Sequence, residues 1–163
     1  MSVAYTHCME NKNIDLENFR EVFNERFSLF WEKVLAENAY VPIAHALLLQ
    51  CRNISNGGKR LRPYIAYIGY LISISFDDES KNDDYNLDII DRLIGLELFH
   101  LYALVHDDII DSAYTRHGVP TIQVAMAQSA TERNLDANEK AHLGQSYAIL
   151  VGDLLFGIAQ KVL

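Results

Sequence analysis

Three carboxylates within five residues, Asp107-Asp108-Ile109-Ile110-Asp111, are the first place where side chains of this sequence could do chemistry. On a helix, Asp107 and Asp111 share a face with their Cβ atoms roughly 6 Å apart. The like charges repel, and the end of a helix dipole disfavours anions there too. The apolar run before them, Leu101-Tyr102-Ala103-Leu104-Val105, would bring them out of a core. A hard divalent cation offsets these costs, and Mg²⁺ is commonly held by one or two carboxylates together with substrate phosphates. For a DDxxD run taken alone, a solvated acidic helix end is the plainer alternative.

Cations gather in two short segments on either side of these acids. The first is Gly57-Gly58-Lys59-Arg60-Leu61-Arg62-Pro63. Its glycines let backbone approach a ligand closely. Lys59 supplies a mobile point charge, and Arg62 a fork matched to phosphate oxygens. Pro63 is expected to open a helix, whose N-terminus favours anions. The second segment is Arg116-His117-Gly118, five residues beyond Asp111. Each alone could be a turn with solvated charges. Together, cations flanking an acidic cluster at the end of an apolar helix suit a ligand with a diphosphate head and an apolar tail.

The elements that must position these groups read as helices. Apolar residues recur at three- and four-residue steps from Ile14 to Leu35 (Leu16, Phe19, Val22, Phe23, Phe27, Phe30 and Val34). Pro42 suits the first helical position, with Ile43 to Cys51 following it. Asn53 to Gly58 reads as a break. A third helix is expected from Pro63 to about Ile74, a fourth from Asn86 to Asp111, and a last one from Ala137 to Leu163. His117 to Pro120 reads as a turn. The acidic run 77–84 reads as a solvated loop. No strand pattern stands out, and the expected fold class is all-α.

Composition narrows the classes. The chain has 163 residues, half of them hydrophobic, and a net charge of −8. The acidic balance argues against nucleic-acid binding, which calls for a basic face. No run approaches the roughly 18 apolar residues of a membrane span. The first residues lack a basic segment followed by an apolar one, so no signal peptide is expected. Cys8 and Cys51 read as free thiols in a reducing compartment. These features predict a cytoplasmic protein.

GGKRLRP at 57–63, FHLYALVHDDIID at 99–111, TRHGVPT at 115–121 and AILVGDLLFGIA at 148–159 closely resemble the polyprenyl synthetase family, in order and spacing. The resemblance covers Gly57 onward. It implies an isoprenoid synthase-type helical bundle around a central cavity. It also implies Mg²⁺-dependent condensation of isopentenyl diphosphate with an allylic diphosphate through a carbocation. Asp107 and Asp111 then match Mg²⁺ ligands, and Asp108 completes that motif. Arg116 matches the arginine on the allylic diphosphate. Lys59, Arg62 and His100 match the isopentenyl diphosphate contacts. Tyr102 and Ala103, just before the acids, match positions that set product length. The large Tyr102 implies a short-chain product of farnesyl to geranylgeranyl length. Association as a homodimer, or with a partner subunit, is expected.

Two departures accompany the resemblance. His117 stands where the family usually has an arginine for isopentenyl diphosphate. Nothing here corresponds to the family's second aspartate-rich motif, its catalytic lysine or its later Phe-Gln segment. Residues 1–163 are therefore expected to be the N-terminal portion of one polyprenyl synthetase domain, truncated and inactive alone. Leu154, Leu155, Ile158 and Val162 would then be left partly without neighbours. The alternative is a non-catalytic regulatory or substrate-binding subunit. The intact Asp107–Asp111 pair favours the enzyme.

Overall fold

A computed structural model describes residues 15–75, 85–116, 118–130 and 135–163. Among these, six helices follow in chain order: α1 (Leu16–Glu37), α2 (Pro42–Ser55), α3 (Leu61–Ser75), α4 (Leu87–Ile110), α5 (Ile122–Ser129) and α6 (Ala137–Val162). A two-residue antiparallel ladder, β1 (Thr115–Arg116) with β2 (Val119–Pro120), joins α4 to α5.

The four-residue spacing of Phe19, Phe23, Phe27, Trp31 and Leu35 dictates how α1 docks. All five are buried, and successive rings touch at centroid distances of 5.8, 5.7 and 6.0 Å. Each aromatic taken from water contributes about 1.5–3 kcal/mol before the cost of ordering it. Asp15 starts the helix, its Oδ1 accepting from the Asn18 N–H at 2.8 Å. The start of α4 is fixed from α3. Asn86 caps α4 by accepting from the Ile89 N–H at 3.2 Å. Its own N–H donates to the buried Tyr67 hydroxyl at 3.0 Å, and its side-chain amide to Tyr70 at 2.8 Å. Burial raises the Tyr67 pKa, so the hydroxyl stays protonated.

α4 and α6 pack closely and antiparallel because glycines let their backbones approach. A Cβ at Gly95 would lie 2.7 Å from Leu163, and one at Gly152 would lie 2.1 Å from the His106 ring. Between these points Phe99 and Tyr102 meet Phe156, with ring centroids 6.0 and 5.2 Å apart. Gly144 admits the backbone carbonyl of Gln123 from α5 in the same way. A capping box starts α6, with Asp136 and Glu139 each bonding the other's N–H.

The all-α reading holds, with these differences. α2 runs to Ser55, past the expected break at Asn53, because Ser55 and Ile54 pack inward. α3 starts at Leu61 rather than Pro63. Arg60, at φ +52°, ends the preceding loop, and its carbonyl accepts the Tyr64 N–H at 3.1 Å. Pro63 thus falls in the first turn, where a missing donor costs no helical bond. The short ladder was not expected, nor was α5. Leu155 is fully buried, contrary to expectation, and Leu154, Ile158 and Val162 pack against the core. The exposed apolar residues of α6 are instead Ile149, Leu150 and Phe156. Cys51 is a buried free thiol, its pKa pushed up to about 12 by desolvation. Cys8, Ile14 and the acidic run 77–84 lie outside the described residues.

Two glycines of α6 should respond oppositely to alanine. At Gly144 a Cβ would sit 2.2 Å from a backbone oxygen, so Gly144→Ala should lower stability by about 1–3 kcal/mol. At Gly157 it would meet nothing, so Gly157→Ala should raise stability by about 0.5–1 kcal/mol. Urea unfolding checks both, and shifts of the same sign would contradict the packing of α5 on α6.

Candidate active site

A helix turns about 100° per residue. Glu97, His100, Asp107 and Asp111 therefore fall within about 80° of each other around α4 and form one polar stripe. Asp108 lies about 100° from Asp107 and turns inward, its side chain only 10% exposed. Asp111 is the C-cap residue, its N–H donating to the Asp107 carbonyl at 2.8 Å. The three carboxylates share the negative end of the helix, as the spacing required.

Arg116 answers that charge from β1. Its Nε donates to both Asp108 oxygens at 3.0 Å, and its Nη2 to Asp108 Oδ1 at 2.8 Å and Asp107 Oδ2 at 3.3 Å. The Asp108 bonds, foremost, hold the Arg116 pKa above its ordinary value. Asp108 is thus occupied as the guanidinium's partner, while Asp107 is half exposed and Asp111 exposed. The reversal that carries Arg116 back runs through Gly118 at φ +82°, a conformation that suits glycine.

The motif reading missed the two residues that secure this reversal. Buried Gln123 donates its side-chain amide to the carbonyls of Asp108 at 2.9 Å and Ala113 at 3.0 Å. The Thr121 hydroxyl donates to Ala113 at 2.8 Å. Gln123 adds a second donor to the Asp108 carbonyl, which already accepts the Ala113 N–H at 2.9 Å, and with Thr121 it satisfies the Ala113 carbonyl in the turn beyond α4. A glutamine inside the apolar run Ile122–Met126 was the available signal.

The cationic loop divides its labour. Gly57 and Gly58 take φ of +98° and +88°. Lys59 and Arg62 are exposed, but Arg60 is buried against Glu97 at 2.7 Å. Arg62 Nη1 reaches His100 Nε2 at 3.0 Å. Because a guanidinium only donates, that ring nitrogen is the bare acceptor. Desolvation first, then the charges of Arg62 and Arg116, push the His100 pKa below its usual 6.5, with Glu97 opposing. Both cation clusters therefore act on one imidazole on the carboxylate stripe. His117 lies outside the described residues.

Tyr102 sits about 140° around α4 from Asp107, so it belongs to the neighbouring face. It is half-buried among Phe99, Phe156 and His106. Ala103 is exposed and about 40° from Asp107. The His106 Nδ1–H donates to the Tyr102 carbonyl at 3.0 Å, leaving Nε2 3.8 Å from Asp153. A cavity of about 650 Å³ between the hairpin, α5 and α6 is lined by Tyr114, Gln123 and Lys140 among others, and by none of the expected site residues. Among the described residues no three His, Cys, Asp or Glu side chains converge into a metal cage. No described helix is long and apolar enough to cross a membrane.

These features match known proteins. The polyprenyl synthetase family profile matches residues 46–163, and the chain belongs to that family. The short chain isoprenyl diphosphate synthase of Methanocaldococcus jannaschii is 34% identical over 103 residues, 63% of this chain and 24% of that protein. Heptaprenyl diphosphate synthase component 2 of Geobacillus stearothermophilus is 30% identical over 121 residues, 74% of this chain and 28% of that protein. The crystal structure of geranylgeranyl pyrophosphate synthase from Corynebacterium glutamicum, complexed with isoprenyl diphosphate and magnesium, aligns with a TM-score of 0.78 at 32% identity. That alignment covers 91% of this chain and 41% of the other, so the helices described here have the isoprenoid synthase fold. The chain spans between 24% and 41% of the length of these three relatives.

His100 offers a test of the geometry. Its NMR titration midpoint should lie below 6.5. Arg62→Ala should move the midpoint up toward that value without passing it, because desolvation, the larger cause, remains. With the folded pKa below the unfolded one, the unfolded chain holds the proton more readily. His100 should therefore cost stability as pH falls through 6.5 and leave it unchanged above, and His100→Gln should remove that slope. A midpoint insensitive to Arg62→Ala would contradict the contact.

Proposed function

We propose that this chain forms the N-terminal part of a prenyl diphosphate synthase site, where isopentenyl diphosphate condenses with an allylic diphosphate to give a short-chain product. The observation that carries the reading is the single stripe on α4, with cations reaching it from both sides. Arg62 meets His100, and Arg116 meets Asp107 and Asp108. Because the chain covers less than half of the related crystal chain, we infer that residues beyond those described here complete the site. They would belong to the same domain or to a partner subunit.

Asp107 and Asp111 fit Mg²⁺ as hard oxygen donors one helical turn apart, leaving positions for water and phosphate oxygens. Bound there, the ion would neutralise charge on a departing diphosphate. The protein's own part is electrostatic. Arg116 stands where it can exchange its longer Asp107 contact for a phosphate oxygen while Asp108 keeps hold of it. Lys59, Arg62 and His100 form the second anion site. On a closed site such fixed donors stabilise a leaving anion without reorganising. Tyr102 and Phe156 close the apolar end, with Ala103 leaving width beside the carboxylates.

Calorimetry on the chain tests the two sites separately. In the presence of Mg²⁺, Asp107→Ala and Asp111→Ala should each abolish Mg²⁺-dependent binding of an allylic thiodiphosphate. Arg116→Ala should weaken that ligand by at least about tenfold, the scale of one charge-assisted bond, and isopentenyl diphosphate less. Lys59→Ala should do the reverse. Unchanged Mg²⁺ dependence in both aspartate variants would sink the metal assignment, and equal losses for both ligands would sink the two-site map.

Tail length is read in the same assay. Wild-type chain should favour geranyl over geranylgeranyl thiodiphosphate, and Tyr102→Ala should narrow the preference. If the preference is unchanged, Tyr102 is not the floor.

A further inference from the structure

We infer that Arg60 is a positioning residue that sets the register of the Lys59–Arg62 loop on α4 from inside the core. The inference rests on the diphosphate reading of Lys59 and Arg62 and adds to it how those cations are held.

Of the three cations in the loop, only Arg60 is buried, at 5% exposure. Its guanidinium joins three helices. Nε donates to Asn24 of α1 at 2.9 Å, Nη2 to the carbonyl of Ser55 at the end of α2 at 2.7 Å, and Nη1 to Glu97 of α4 at 2.7 Å. It also lies over the rings of Phe23 and Phe27, 5.7 and 5.1 Å from their centroids. The backbone at Arg60 takes φ +52°, which side-chain-bearing residues avoid. The two glycines before it would leave the loop free to wander.

Glu97 and His100 are three residues apart on one face of α4. The loop therefore meets that face twice, through Arg60 to Glu97 and through Arg62 to His100. The first contact is sealed in the core and the second is exposed. Fixing the first leaves Arg62 only two residues of slack, which places its fork at His100, on the stripe that ends in Asp107. A lysine at position 60 has no planar fork to serve three separate acceptors.

A role in folding alone makes a different prediction from a role in positioning. A buried ion pair can often be replaced by apolar residues of similar volume without loss of stability. The Arg60→Met/Glu97→Met double variant should therefore still fold, its unfolding midpoint lowered by the Asn24 and Ser55 acceptors that it leaves unpaired. We expect it to lose the Arg62–His100 contact, read as the NOE between the two side chains. We also expect at least about tenfold weaker calorimetric binding of inorganic pyrophosphate with Mg²⁺, the scale of one charge-assisted bond. Arg60→Lys, which keeps the charge, should fold and show the same two losses, covering the case in which the double variant does not fold. A stable variant that retains both the NOE and wild-type affinity would overturn the inference. Lys59→Ala and Arg62→Ala serve as controls for the underlying reading. If they bind pyrophosphate as wild type does, the diphosphate reading falls alone. The NOE then decides, its loss in the stable variants supporting positioning by Arg60 and its retention refuting it.

Discussion

α4 ends in three carboxylates at the negative end of its own dipole, and much of the surrounding structure follows from that electrostatic cost. Each anion so placed is disfavoured by about 0.3–1 kcal/mol before the repulsion between neighbours. Arg116 is the cation that answers it, and it can reach Asp108 only if the chain reverses within a few residues. The reversal uses Gly118, Thr121 and Gln123 both bond the Ala113 carbonyl of the turn, and Gln123 ties that turn to the Asp108 carbonyl at the end of α4. Gln123 can sit there because Gly144 lets its backbone lie against α6. Hairpin, α5 and the first half of α6 thus depend on one charge problem.

A second ion pair solves the opposite problem. Arg60 and Glu97 are both nearly excluded from water, and removing either partner would strand a buried charge at a cost of about 3–5 kcal/mol. Arg116 remains about one-third exposed and Asp107 more than half, so their contact can be exchanged for another ligand. The two arginines differ in burial rather than chemistry. One is fixed and joins helices, and the other is held by Asp108 with part of its fork facing solvent. His100 lies between the charges of Arg62 and Arg116, and its lowered pKa records first its burial and then that positive charge.

The sequence shows α1 and α4 clearly, because apolar residues at three- and four-residue steps are a local signal. It also shows the carboxylates, Arg62 and Arg116 through residue type and order, whereas His100 comes only from the family resemblance. The junction of α2 and α3 is different. Nothing in Asn53-Ile54-Ser55 indicates that Arg60 will cap the helix from five residues away, and in sequence Arg60 looks as solvated as its neighbours. α5 is only eight residues long, too short for periodicity to identify. In α6 the run Ile149-Leu150-Val151 and the triplet Leu154-Leu155-Phe156 are apolar on every side. Periodicity therefore could not say that Leu155 faces inward and Phe156 outward. That choice is made by the positions where glycines let α4 and α5 approach.

The close approach of α4 and α6 also bears on the proposed chemistry. On one helix the charged stripe and the aromatic face stand side by side, with Ala103 near the carboxylates and Tyr102 beyond it. A ligand with an anionic head and an apolar tail would be read by adjacent faces of the same rod, so head position and tail depth are not independent. The aromatic layer of Phe99, Tyr102 and Phe156 lies between the glycine contacts at Gly95 and Gly152. At Gly95 the space a Cβ would take is filled by the Leu163 side chain and the Ala159 carbonyl, and at Gly152 by the His106 ring. On the proposed reading the floor beneath the tail depends on the spacing of α4 and α6 as well as on the size of Tyr102. His106, pressed against Gly152 and adjacent in sequence to Asp107, ties that spacing to the carboxylates themselves.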